Sequence, residues 1–124
     1  MTDLGILLLV IAVCCDKNKD LAVQGMPHNG YQWIEKQEAF EMMKRYSNYR
    51  IVDVRSRDEY ITGHLPKAVN LPLDDLEEEC MDLIPNLNQV IFVYCSSGAR
   101  ARRACEWMAE MGYTNIYGFG GFQR

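Results

Sequence analysis

The apolar positions of this chain fall into short blocks with two alternating spacings. "YQWI" (Tyr31–Ile34), "RIVDV" (Arg50–Val54), "AVNL" (Ala68–Leu71), "QVIFVY" (Gln89–Tyr94) and "NIYGF" (Asn115–Phe119) are compact β-branched or aromatic runs and predict five strands. Between them the period lengthens. "KQEAFEMMKRYS" sets Ala39, Phe40, Met43 and Tyr46 at helical spacing, and "LDDLEEECMDLI" does the same with Leu76, Cys80, Leu83 and Ile84. After Arg100, a stripe of Ala101, Ala104, Cys105, Met108 and Met111 predicts a third helix that Gly112 stops. Strands alternating with helices predict an α/β domain with a five-stranded, mostly parallel sheet. "QVIFVY" is the most continuously apolar block, as a strand buried on both faces would be. Ligands of such sheets bind at the carboxyl ends of the strands. Cys95 lies at that end of "QVIFVY" and Asp53 near that end of "RIVDV".

Residues 1–15 break the pattern. "LGILLLVIAVCC" (Leu4–Cys15) is one apolar run. It is short for a bilayer span, which needs about 20 residues, but fits the apolar core of a secretory signal. No Lys or Arg precedes it, and bulky Val13 stands before Cys14, a candidate for lipidation with Cys15. Residues 1–15 are read as a signal-like or membrane-anchoring segment; the competing reading makes them a strand or helix of the domain. Residues 16–30 mix charges with Gly25, Pro27, Asn29 and Gly30 and predict a linker, leaving residues 31–124 as the domain. The expected location is outside the cytoplasm, periplasmic or tethered to a membrane through residues 1–15.

A length of 124 residues suits one core. The net charge of −4 implies no basic face and argues against nucleic acid as a partner. Five cysteines without a C-x-x-C pair, and two histidines, leave no recognisable metal site.

The chemistry concentrates in "VYCSSGARARRAC" (Val93–Cys105), where a thiol ends a strand, small residues follow, and arginines open a helix. The reactive form of cysteine is the thiolate. "CSSGAR" holds no histidine to take its proton. Stabilisation of a negative sulfur would fall to backbone N–H groups curled around it, to the helix N-terminus and to Arg100. Cys80 and Cys105 sit on the apolar helix stripes and are read as core residues. The acidic run Asp74–Glu79 is read as a solvated helix face.

Two stretches resemble the signature regions of single-domain rhodaneses. "IVDVRSRDEYITGHLPKAVNLP" resembles the family's D-V-R-x-x-x-E-[FY]-x-x-G-H-[IL]-x-x-A-x-N-[IL]-P, and "VYCSSGAR" its C-x-x-G-x-R loop. Lys67 departs from the glycine that many relatives carry. The resemblance implies a rhodanese-like three-layer α/β/α fold and a sulfurtransferase. Cys95 would take a sulfane sulfur from thiosulfate or another small donor as a persulfide and pass it to a thiol, cyanide or a thioredoxin-like acceptor, with no cofactor. Arg100, Ser96, Ser97, Gly98 and Ala99 would bind the substrate. Asp53, Arg55, Glu59 and His64 would support the site: Asp53 by accepting hydrogen bonds from the loop or a helix start, Arg55 by pairing with Glu59, and His64 by ordering its own loop.

Two other functions compete. A Cys-dependent phosphatase or arsenate reductase on the same fold would use a similar Cys…Arg loop, but the related phosphatases make theirs one residue longer than the "SSGA" between Cys95 and Arg100. A non-catalytic sulfur-carrier or binding module is the other; inactive domains of this kind usually lose the cysteine.

Overall fold

The computed structural model describes residues 30–121. Its five strands are β1 (Gln32–Ile34), β2 (Tyr49–Asp53), β3 (Ala68–Asn70), β4 (Val90–Tyr94) and β5 (Asn115–Phe119). All neighbours are parallel, in the order β1-β5-β4-β2-β3. Parallel strands need crossover connections. Helices α1 (Lys36–Arg45), α2 (Arg57–Ile61), α3 (Leu76–Leu83) and α4 (Ala99–Met111) lie in four of them, α3 after a 3-10 turn at Leu73–Asp75.

The sheet buries both faces. Side chains alternate along a strand, so Val52, Ile91, Val93 and Ile116 meet Leu76 and Cys80 of α3 and Ala101, Ala104, Cys105 and Met108 of α4. Ile51, Phe92, Tyr94 and Phe119 form the second core with Ala39 of α1, and half-buried Tyr60 of α2 packs on it. Two cores on one sheet make the three-layer α/β/α architecture. They also explain the unbroken apolar run of β4, whose successive residues belong to opposite layers. β5 admits no side chain at Gly118. A Cβ there would come within 2.7 Å of Cys105 Sγ and 2.8 Å of the Trp33 ring.

The structure corrects three details. Helix α1 ends at Arg45, and Tyr46 follows in extended conformation, 43 % exposed, instead of continuing the buried stripe. Met111 is likewise only half-buried. Helix α2 occupies a stretch with no apolar stripe. Its start is a capping box: the Ser56 hydroxyl accepts from the Glu59 N–H, and the Glu59 carboxylate accepts from the Ser56 N–H. Lys67, just before β3, adopts a φ of 74°, in the left-handed region that favours glycine. The apolar segment 1–15, Cys14 and Cys15, and the linker up to residue 29 lie outside the described residues. Among the described residues no helix is long and apolar enough to cross a membrane.

Candidate active site

β4 is the central strand, and its carboxyl end delivers Cys95 to the N-terminus of α4. The turn between them is tight because Gly98, the N-cap of α4, takes a φ of 111°. That conformation aims two N–H groups at the sulfur. Gly98 N–H donates to Cys95 Sγ at 3.0 Å and Ala101 N–H at 3.3 Å. Both bonds favour a negative sulfur, as does the positive end of the helix dipole. Cys95 is fully covered in this conformation. Ser97 and Ala99 form the exposed outer edge of the loop, whereas Ser96 is half-buried.

Arg100 lies across the loop. Its guanidinium donates to both Glu59 carboxylate oxygens, at 2.8 and 3.1 Å, and to Ser96 Oγ at 3.0 Å. The pair is partly solvated, with 35 % and 37 % of the two side chains exposed. Arg100 and then the Ser56 N–H hold the Glu59 carboxyl down at about 2. Glu59 in turn raises the Arg100 guanidinium, with a smaller contribution from Cys95.

Asp53 and Arg55 form a separate, buried network. Arg55 Nη2 donates to Asp53 Oδ2 at 2.8 Å and to the Gly63 carbonyl at 2.6 Å, and Arg55 Nε to Asp53 Oδ1 at 3.0 Å. The Tyr94 hydroxyl donates to Asp53 Oδ2 at 2.8 Å and accepts from the Leu65 N–H at 3.1 Å. Asn70 Nδ2 donates to the Asp53 and Arg55 carbonyls. The network joins the ends of β2, β3 and β4 to the segment around Gly63–Leu65. Two expected pairings are therefore corrected. Arg55 pairs with Asp53, not Glu59, because residues two apart at a strand end return to the same side, while the capping box directs Glu59 towards Arg100. Asp53 accepts from Arg55 and Tyr94, not from the Cys95 loop or a helix start. His64 stacks on Tyr60 with ring centroids 3.7 Å apart, its Nδ1 2.9 Å from the Tyr60 carbonyl oxygen.

Several contributors were not singled out in the sequence. The Ala101 N–H faces the sulfur although its side chain is core. Tyr94 and Asn70 fasten the Asp53 network. Gly121 lies so close to the loop that a Cβ there would collide with the Ser96 carbonyl; the only sequence sign is a glycine pair after β5. Cys105 is buried under α4, and burial pushes its thiol well up. Burial likewise raises Cys80. Among the described residues no group of His, Cys, Asp and Glu could hold a metal ion.

Comparison with known proteins agrees with this fold. Residues 35–123 match the family described as Rhodanese-like domain. Thiosulfate sulfurtransferase PspE of Escherichia coli is 35 % identical over 72 residues, covering 58 % of this chain and 69 % of that protein. A tRNA uridine(34) hydroxylase of Buchnera aphidicola is 28 % identical over 95 residues, 73 % of this chain but 30 % of its own length. Among solved structures, a rhodanese with anions from Escherichia coli superposes with a TM-score of 0.57 at 34 % identity, covering 59 % of this chain and 86 % of that one.

Proposed function

The chain belongs to the rhodanese-like domain family, and from that premise we propose that it is a thiosulfate sulfurtransferase-like enzyme working through a Cys95 persulfide. One observation carries the reading: the Cys95 sulfur receives two N–H donors at the start of α4, with Arg100 beside it. The Cys95 thiolate attacks the outer sulfur of thiosulfate. The sulfur–sulfur bond of the donor breaks, sulfite leaves with the electron pair, and Cys95 becomes a persulfide anion. A thiolate, cyanide or a thioredoxin-like acceptor then attacks the outer persulfide sulfur and restores the Cys95 thiolate. The persulfide carries its charge on the outer sulfur, one bond beyond Sγ, where the positive potential of the loop N–H groups and the helix N-terminus also favours it. No cofactor enters either step. Cys95 is covered in this conformation, so the donor reaches it only after a local opening, and Arg100 with the loop N–H groups receives its oxyanion. Asp53, Arg55 and His64 act indirectly, by fixing the strand ends and the loop before β3. Support for this activity comes from the sulfurtransferase named among the relatives and from the short loop, which suits sulfur better than the larger tetrahedral phosphate of the related phosphatases.

Intact-mass measurement tests the proposal. Incubation with thiosulfate should add one sulfur atom that dithiothreitol removes. Cys95→Ser should lose the adduct and Cys105→Ser should keep it. Loss in Cys105→Ser alone would assign the wrong thiol, and Cys95-dependent turnover of an aryl phosphate faster than sulfur transfer would reverse the choice of reaction. An adduct without thiosulfate:cyanide turnover would make the protein a carrier.

A further inference from the structure

The two arginines that flank Ala101 have different surroundings. Arg100 faces a carboxylate, so Glu59 offsets its charge. Arg102 is exposed, and among the described residues its side chain has no carboxylate or hydrogen-bonding partner. Glu106, one turn further along α4, makes no ion pair with it. Arg102 is nevertheless placed: its guanidinium carbon lies 3.9 Å from the centroid of the Trp33 ring. The same ring lies against the loop, where a Cβ on Gly98 would come within 3.4 Å of Trp33 Cζ2. Gly98 is the residue that donates to Cys95 Sγ. A guanidinium held over an aromatic face by attraction to the ring spends none of its N–H donors on a hydrogen bond. The stack therefore holds an unneutralised cation beside the loop, its donors open to an approaching anion.

We propose that Arg102, held on Trp33, is a specificity-determining residue that selects oxyanion-bearing ligands of the Cys95 thiol over uncharged ones. Its charge reaches inward: at buried Cys105 it opposes the upward push of burial. The inference goes beyond the sulfurtransferase reading and rests on it only in taking Cys95 as the reactive thiol.

The test compares alkylation of Cys95 by iodoacetate, an anion, and by neutral iodoacetamide, followed on the Cys95 peptide by mass spectrometry at one pH. Arg102→Gln should lower the iodoacetate-to-iodoacetamide rate ratio by about three- to tenfold, and Arg102→Lys should recover part of it. In turnover assays Arg102→Gln should raise the KM for thiosulfate by a similar factor, with kcat within about twofold, and leave the KM for an uncharged organic trisulfide unchanged. An unchanged ratio would reduce Arg102 to a solvated charge and overturn the proposal. Equal slowing by both reagents would also overturn it, since Arg102 would then act on the loop through Trp33. Failure of the parent to take sulfur from either donor would remove the sulfurtransferase reading, while the alkylation ratio would still decide this one.

Discussion

Glu59 belongs to two structures at once, closing the capping box of α2 and gripping Arg100 across the Cys95 loop. Its carboxyl is lowered from 4.5 to about 2, first by Arg100. A carboxyl depressed on folding contributes stability above its unfolded value and loses it as pH falls through the folded one. With more than a third of each side chain exposed, the pair is worth at most about 1 kcal/mol. Glu59→Gln should therefore cost up to about 1 kcal/mol above pH ~5, and the difference should shrink towards zero by pH ~2, as urea midpoints across pH would show. A difference constant down to pH ~2 would mean that the charge contributes nothing. Asp53 is the opposite case. It is fully buried against a nearly buried Arg55, and removing one partner strands the other's charge. Asp53→Ala should lose about 3–5 kcal/mol in urea unfolding; a loss below about 1 kcal/mol would mean that water or a neighbour replaces the carboxylate. The sequence showed these residues unevenly. Cys95, Gly98 and Arg100 lie within six residues of one another, so their chemistry is written in one phrase. The bond from Arg100 to Glu59 spans 41 residues, and local spacing holds no information about it.

The strands were legible because both faces of the sheet are covered, which turns each strand into a compact apolar run. Helix α2 was not, since it has no fully buried residue and leaves no periodic stripe. Its signal is the Ser56-x-x-Glu59 spacing, a statement about hydrogen bonds instead of hydropathy. The turn into β3 carries a local conflict: Lys67 holds a φ of 74°, in the left-handed region that favours glycine. A left-handed conformation costs a non-glycine residue about 1–2 kcal/mol. Glycine relieves that strain but gives back part of the gain as extra freedom in the unfolded chain. It also forfeits the contact of Lys67 Nζ with the Tyr49 ring, at 5.3 Å. The net expectation for Lys67→Gly is a gain of about 0.5 kcal/mol, read as a higher urea midpoint. Lys67→Ala keeps the strain and loses the ring contact, so it should be slightly destabilising. If alanine and glycine behave alike, backbone strain at this turn does not limit stability.

At the scale of the molecule, the question is what residues 1–29 do for the domain. The described members of both cores lie between Tyr31 and Phe119. Among the described residues the sheet has five strands. The run Leu4–Cys15, by contrast, has the composition of an address: continuous apolar residues followed at once by "DKNKD". We therefore propose that this run directs the protein out of the cytoplasm or holds it on a membrane, and that the domain folds without it. If the run is an address, deleting residues 1–29 should leave the melting temperature within a few degrees and Cys95 persulfide formation within about twofold. In fractionated cells the full-length protein should leave the cytoplasm and the truncated one should stay there. A full-length product that remains cytoplasmic, with a domain that unfolds when Leu4–Val13 is removed, would instead make this run an element of the fold. The apolar pattern would then have been read on the wrong side of the boundary at residue 30.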